Sequence, residues 1–223
     1  MDNQLLIFSL SQKAMSKQGK IIGAFGLPGS GKSSTTKEIS KLLNITAFLE
    51  PEECEWGKAV KNREVIGSFT SMMWFRSVRV PYYYEADQIR KSGDLSIIDS
   101  CYDKLFYLYH KDEGLKWLYT EEDDYYDEIV SIARKDYSLL PDFDIIIFLK
   151  NSESVWREFI KQRNRVIDNE DDFKESFVLQ DSMIDAVQKY CSANDCKLII
   201  HEQSFSHPKV EAEKIVGILN AYL

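Results

Sequence analysis

One eight-residue stretch constrains the fold of this chain more than any other. The segment Gly26-Leu-Pro-Gly-Ser-Gly31-Lys32-Ser33 has the spacing G-x-x-x-x-G-K-[ST]. The apolar residues 20–25 before it predict a buried strand, and residues 33–43 after it predict a helix. Glycines in such a turn let backbone N–H groups converge on phosphate oxygens, and the helix N-terminus adds its dipole. The stretch is therefore predicted to form a phosphate-binding loop, or P-loop.

The same motif assigns ligands. The Lys32 amine would reach the outer phosphates of a nucleotide, and the Ser33 hydroxyl would ligate magnesium. The predicted nucleotide-binding residues are Gly26, Gly29, Ser30, Gly31, Lys32, Ser33 and Ser34. The expected cofactors are ATP and Mg²⁺. A dinucleotide fingerprint, G-x-G-x-x-G, would need a third glycine where Ser34 stands. The loop by itself does not distinguish transfer, hydrolysis or sensing of phosphate.

Five short apolar runs alternate with longer helical patterns. The predicted strands cover residues 20–25, 45–49, 95–98, 143–149 and 197–200. Residues 55–90 are predicted to be mostly helical, with breaks allowed near Gly67 and at Pro81. The other predicted helices cover residues 33–43, 102–109, 121–139, 153–163, 173–191 and 210–222. Apolar strands separated by helices require a parallel sheet covered on both faces. We expect a three-layer α/β domain over residues 20–223, preceded by an N-terminal extension, residues 1–19.

Composition and charge argue against several classes of protein. The formal net charge of −8 disfavours a nucleic-acid binder held by its overall field. Apolar runs stay short of the roughly 18 residues that a membrane span needs, so no membrane partner is expected. The four cysteines, Cys54, Cys101, Cys191 and Cys196, form no C-x-x-C pair. This favours reduced thiols in a cytoplasmic protein over a disulfide or zinc framework.

Two acidic residues follow predicted strands directly. Glu50 comes after residues 45–49, and Asp99 comes after residues 95–98. In open parallel sheets, ligands bind beyond the carboxyl ends of the strands, so both carboxylates are expected near the P-loop. The alternatives are a solvated residue for Glu50 and a helix N-cap for Asp99.

A cluster of basic residues ends the helix predicted at 153–163. Arg163-Asn-Arg165 is followed by a polar, acidic stretch that runs to Asp172. Arginine suits a lid over phosphates because its planar fork grips phosphate oxygens. We therefore predict a lid over about residues 163–172. The alternative is a helix C-terminus whose basic residues complement its own dipole.

Taken in order, these motifs resemble the deoxynucleoside kinases. That family has a P-loop, then E-P-V with a nearby Trp, which is similar to Glu50-Pro51-Glu52 with Trp56. It has a helix with an arginine near its end, similar to the segment that ends at Arg79. Its acid-Arg-Ser-x-Tyr motif is similar to Asp99-Ser100-Cys101-Tyr102, and its lid R-x-R is similar to Arg163-Asn-Arg165.

The chain departs from the family pattern at three positions. An arginine is missing between Asp99 and Ser100, and Met72 falls near the glutamine that usually reads the base. Phe159 stands where the lid helix usually carries an arginine. A related pattern belongs to thymidylate kinase and other nucleoside monophosphate kinases, which leaves the identity of the acceptor open.

The resemblance implies a P-loop kinase that transfers phosphate from ATP to the 5′-hydroxyl of a nucleoside. By this resemblance, Glu50 is the general base, Arg79 stabilises charge near the acceptor and holds Glu50, and Asp99 helps to bind magnesium. The expected catalytic residues are Glu50, Arg79, Lys32, Arg163 and Arg165. The expected substrate residues are Trp56, Met72, Phe75 and Tyr83, for which ordinary core packing is the alternative. The adenine of the donor is expected near residues 201–205.

Two other functions stay open at this point. One is phosphorylation of a nucleoside monophosphate, and the other is ATP sensing by a regulatory module that transfers no phosphate. The expected partner is a nucleoside or nucleotide substrate, and a homodimer is one expected assembly.

Overall fold

A computed structural model describes residues 18–116, 118–163 and 177–223 of the chain. Its centre is a five-stranded parallel sheet with the order β2-β3-β1-β4-β5. The strands are β1 (Lys20–Phe25), β2 (Thr46–Phe48), β3 (Leu95–Asp99), β4 (Ile145–Lys150) and β5 (Lys197–Glu202). Ala24 of β1 pairs with Asp99 of β3, and Ile22 pairs with Ile145 of β4. The predicted α/β fold with a five-stranded parallel sheet is confirmed.

Nine helices surround the sheet in the described part of the chain. They are α1 (Lys32–Leu43), α2 (Lys58–Lys61), α3 (Arg63–Ile66), α4 (Ser68–Lys91), α5 (Tyr102–Tyr109), α6 (Tyr126–Leu139), α7 (Glu153–Arg163), α8 (Leu179–Ala193) and α9 (Pro208–Leu219). Short 3₁₀ turns cover Glu53–Glu55 and Glu113–Leu115. None of the helices in the described ranges is long and apolar enough to cross a membrane.

The two faces of the sheet build two different cores. On one face, aliphatic side chains pack under α1 and α9, with Ile22, Ile97 and Ile215 at the centre. On the other face the core is larger and more aromatic, and includes Phe25 and Phe148. The central strands β1 and β4 are buried on both faces, which explains their continuous apolar sequence.

Of the two breaks that the sequence allowed in the helical region 55–90, one occurs. Gly67, with a φ of 85°, separates α4 from the short helices before it, as predicted. Pro81 does not break α4, which runs unbroken over 24 residues. A mid-helix proline costs about 3 kcal/mol. The fully buried Tyr83 and Ala86 just beyond it anchor the second half of the helix on the sheet, and burial of that size offsets the cost.

The other differences lie at element ends. Helix α6 begins at Tyr126, because residues 120–123 instead form a turn in which the Asp123 carboxylate accepts the Thr120 N–H. Residues 1–17 of the predicted extension lie outside the described residues. The division into residues 1–19 and 20–223 stays a prediction.

Candidate active site

A cavity of about 900 Å³ opens beyond the carboxyl ends of the central strands. The P-loop after β1 forms one wall, Glu50 after β2 another, and α4 to α7 complete the enclosure. Of the residues predicted from the sequence, the cavity is lined by Gly29, Gly31, Lys32, Ser33, Ser34, Glu50, Trp56, Met72, Phe75, Arg79 and Arg163.

The P-loop takes the backbone shape that its glycines permit. Gly29 and Gly31 have φ values of 72° and 77°, in the left-handed region that residues with a Cβ rarely adopt. A Cβ on Gly29 would lie 2.3 Å from Ile160 Cδ1. Gly26 and Ser30 do not line the cavity. Both residues of the loop are buried, and the Ser30 carbonyl accepts a hydrogen bond of 2.6 Å from Gln203 Nε2.

Lys32 is buried at the start of α1 with its amine held at two points. Nζ donates to the Leu27 carbonyl at 2.7 Å and to the Tyr102 hydroxyl at 3.2 Å. Burial lowers the pKa of Lys32, while Asp99 and Glu50 oppose that shift. The two carboxylates therefore help to keep a cation at the P-loop.

Asp99 ends β3, and its charge acts on the Lys32 amine. The side chain is completely buried, and its Oδ2 has no hydrogen-bond partner among the described residues. Burial and then Glu50 raise the pKa of Asp99, while Lys32 and a hydrogen bond from Ser33 lower it. Asp99 Oδ1 accepts from the Ser100 hydroxyl at 3.2 Å, so Oδ2 is the oxygen that the described residues leave without a hydrogen bond.

The donor set at Asp99 fits magnesium. Mg²⁺ prefers oxygen ligands and usually keeps phosphate oxygens and waters in its shell. The Ser33 hydroxyl donates to the Asp99 carboxylate, so the protein offers two kinds of oxygen ligand at this place. Within the described ranges, no group of three or more His, Cys, Asp or Glu side chains is arranged as a metal cage. An ion here would be shared with a nucleotide.

Glu50 is fixed by a buried ion-pair network. Arg79 donates from Nη1 to Glu50 Oε1 at 2.8 Å and holds Asp103 bidentately at 2.7 and 3.0 Å. Burial opposes the charge on Arg79, but Asp103 and Glu50 raise its pKa well above the ordinary value. The Ser100 hydroxyl lies 3.3 Å from Glu50 Oε2. Each carboxylate oxygen of Glu50 therefore has a partner, and the two contacts together fix the orientation of the side chain.

The substrate residues predicted from the sequence separate into two groups. Trp56, Met72 and Phe75 line the cavity, with Trp56 packed edge-on against Phe75. Tyr83 does not line it, so its predicted role as a substrate residue is wrong. Tyr83 is fully buried and packs against Phe143. Because α4 runs from the carboxyl edge of the sheet towards the opposite edge, Tyr83 lies beyond the floor of the cavity.

Helix α7 lies across the P-loop. Phe159 approaches Gly31, and Arg163 Nη1 lies 3.1 Å from the position that a Cβ on Gly29 would occupy. Arg163 also lowers the pKa of Lys32 through its charge. The other predicted lid arginine, Arg165, and most of the predicted lid fall outside the described residues.

Several polar side chains at the cavity were not predicted from the sequence. Asp103 holds Arg79, and Arg76 forms a bidentate pair with Asp136 at 2.6 and 2.7 Å. Arg76 shares a helix face with Met72 and Arg79 by its spacing, so it could have been found from the pattern. Asp136 lies 60 residues after Arg76 in the sequence. The residues around Asp136 give no indication that Arg76 is its partner.

The loop after β5 is organised by one buried carboxylate. Glu211 accepts from Ser204 and Ser206 at 2.7 Å, from Lys214 at 2.8 Å and from His201 Nε2 at 2.5 Å. Phe205 of this loop lies edge-on to Phe159 of α7 at 5.3 Å between ring centroids. The loop and α7 thus meet beside the P-loop. The adenine of the donor near residues 201–205, which the family resemblance implied, stays a prediction.

A parallel sheet of this order, with a P-loop after its central strand and a helix laid over that loop, defines the P-loop kinase fold. Deoxyadenosine kinase from M. mycoides with bound dATP shares it, with a TM-score of 0.66 and 22% identity over 90% of this chain and 99% of that chain. The M. mycoides enzyme with bound dCTP gives 0.53 at 18% identity, over 90% and 99%. Thymidylate kinase from Ehrlichia chaffeensis gives 0.53 at 14%, over 90% and 98%. No protein-family model and no curated protein sequence matches the chain.

Proposed function

We propose that this protein transfers the terminal phosphate of ATP to the 5′-hydroxyl of a nucleoside or deoxynucleoside. The observation that carries the proposal is the placement of Glu50, a carboxylate fixed by Arg79 and facing the same cavity as the P-loop. A hydroxyl acceptor must lose a proton as it attacks, so it needs a base at this place. The likeness to nucleoside kinase structures supports the fold on which the proposal rests.

Each residue of the candidate site has a separate role in the proposed reaction. Glu50 accepts the proton of the acceptor hydroxyl, and Arg79 holds Glu50 in the orientation that this requires. Lys32 binds the outer phosphates and offsets the charge that develops as the phosphoryl group moves. Arg163 acts on the same charge from the side of α7. Magnesium at Ser33 and Asp99 would supply further charge neutralisation of the phosphates.

The charge balance of the acceptor side favours a nucleoside over a nucleoside monophosphate. Arg79 is paired with two carboxylates, and Arg76 is paired bidentately with a third. Arginines neutralised in this way offer little net positive charge to an acceptor phosphate. A hydroxyl acceptor needs no such charge, and it needs the base that Glu50 provides.

The proposal is tested by measuring ADP release with Mg²⁺ and ATP against a panel of nucleosides and their 5′-monophosphates. We expect ADP release that depends on at least one nucleoside, with the 5′-monophosphate as product. Release with monophosphates alone would identify a monophosphate kinase. ADP release that no acceptor stimulates would identify an ATP-binding regulatory module.

A further inference from the structure

Two cysteines meet at the end of α8. Cys191 lies in the last turn of that helix, and Cys196 directly precedes β5. Asp195 between them has a φ of 51°, and the Cys196 N–H donates to the Cys191 carbonyl at 3.2 Å. This is the Schellman arrangement that ends many helices, and it brings the side chains of its two end residues into contact. The backbone of the turn therefore holds the two cysteines together.

The two thiols are joined by a hydrogen bond. The Cys196 thiol donates to the Cys191 sulfur, and both cysteines are free. This bond lowers the pKa of Cys191 and, together with burial, raises the pKa of Cys196 far above its ordinary value. The thiolate is the nucleophilic form of cysteine. Cys191 is therefore the better nucleophile of the two.

The pair lies just beneath the surface of the molecule. Cys191 is 7% exposed and Cys196 is 8% exposed, whereas residues 192, 193 and 195 of the turn are exposed. A small neutral oxidant needs only a local opening of this turn to reach the sulfurs. Cys101, by contrast, is completely buried, and its thiol donates to the Ala24 carbonyl at 3.4 Å.

We propose that Cys191 and Cys196 form a reversible disulfide site that is oxidised by hydrogen peroxide. The Cys191 thiolate attacks one oxygen of the peroxide, the O–O bond breaks, and the hydroxide that leaves takes up the thiol proton and becomes water. The Cys196 sulfur then attacks the Cys191 sulfenic acid, which forms the S–S bond and releases a second water. The sulfurs lose two electrons, and the peroxide gains them.

This site is independent of the proposed function, because it involves none of the residues that face the phosphates. A dithiol reductant reverses the step by thiol–disulfide exchange. The competing role is a pair of inert thiols that pack against each other at the end of α8 as small apolar side chains do.

Peptide mapping of the folded, full-length protein separates the two roles. Trypsin cuts after lysine, so both cysteines fall in one peptide, residues 190–197. The protein is treated with peroxide, with and without dimedone, then freed of peroxide with catalase, alkylated in urea and digested. A parallel sample is reduced with dithiothreitol before alkylation. Cys196→Ser is the test variant, since it keeps Cys191 and removes the second sulfur. Cys54→Ser is the matched control, because Cys54 is an exposed cysteine outside the pair.

The wild type and Cys54→Ser should both yield the 190–197 peptide without alkylation and lighter by two hydrogen atoms than the reduced peptide. Dithiothreitol should restore both alkylation sites. Cys196→Ser should form no such bond and should instead carry dimedone on Cys191. Full alkylation of the peptide after peroxide, oxidation confined to Cys54, a disulfide from Cys101 to either cysteine, or pairing that occurs only when peroxide is added in urea would overturn the inference.

Discussion

At the scale of one residue, Asp99 is a candidate site residue whose ionised side chain lowers the stability of the fold. Its carboxylate is completely buried, and burial together with Glu50 raises its pKa above the ordinary 3.8. A carboxyl group with a raised folded-state pKa binds protons more tightly in the folded than in the unfolded state. Its ionised form therefore costs stability once the pH exceeds 3.8, and the full cost is present above the raised pKa.

Replacing Asp99 by Asn should therefore stabilise the fold at neutral pH. We expect a melting temperature a few degrees above the wild type at pH 7 to 8, with the difference shrinking as the pH falls towards 4. In the proposed reaction, turnover should fall because a magnesium ion at Ser33 and Asp99 would lose a charged ligand. Thermal unfolding across this pH range checks the first expectation, with the exposed Asp185→Asn as control. A variant that melts below the wild type at pH 8 would contradict this account of Asp99.

At the scale of elements, the structure predicts two separate contributions from the segments around the P-loop. Helix α7 brings Arg163 to the loop, while the β5–α9 loop is held from behind by Glu211. By the proposed function, the first contact would act on the phosphates, whereas the second acts on the shape of the loop. Variants in the two segments should therefore differ in what they change.

Arg163→Ala should lower turnover more than it weakens ATP binding. In the proposed reaction the arginine acts mainly on charge that develops during transfer, so its loss would raise the energy of the transition state. A decrease in kcat of roughly 10- to 100-fold is expected, with a KM for ATP within a few-fold of the wild type. Steady-state kinetics at saturating acceptor measures both. Arg157→Ala, from an exposed pair with Glu153 on the same helix, is the control. Loss of thermal stability with full specific activity would show a structural helix end instead.

Glu211→Gln should destabilise the protein at neutral pH. Burial alone would raise the pKa of Glu211, but hydrogen bonds from Lys214, Ser206, Ser204 and His201 lower it to about 2. A depressed carboxyl pKa contributes stability above the ordinary 4.5 that is lost as the pH falls towards 2. We expect a melting temperature several degrees lower at pH 7 and a difference that shrinks between pH 5 and pH 3. A deficit that stays constant over this range would point to packing rather than charge.

Elements could be predicted from the sequence where one local pattern dominates. The apolar runs correctly predicted the five strands, and the glycine spacing predicted the turn between β1 and α1. The sequence allowed a break at Pro81, and none occurs, because tertiary burial of Tyr83 and Ala86 outweighs a local breaker. The predicted role of Tyr83 as a substrate residue was wrong for a related reason. The sequence gives the periodicity of a helix but does not show which part of the helix lines the cavity.

At the scale of the whole molecule, the site depends on contacts between distant parts of the chain. Arg79 joins Glu50 to Asp103, and Arg76 joins α4 to Asp136. Such pairs have no local sequence signal, so Asp103 and Asp136 could not be assigned before the fold was known. The parallel sheet assembles the candidate site. Because β1, β2 and β3 end at the same edge of the sheet, Lys32, Glu50 and Asp99 lie close together.

The central claim is that this assembly places a base for the acceptor opposite the phosphates of the donor. Glu50→Gln keeps the size and most of the hydrogen-bonding capacity of the side chain but removes the basic oxygen. General-base catalysis contributes about 10²–10⁴-fold. The decisive measurement is the turnover of Glu50→Gln with Mg²⁺, ATP and the best nucleoside, beside its affinity for ATP and its melting temperature. We predict a loss of turnover within that range while affinity and melting temperature change little. Turnover within about threefold of the wild type, far short of the general-base range, would contradict the account.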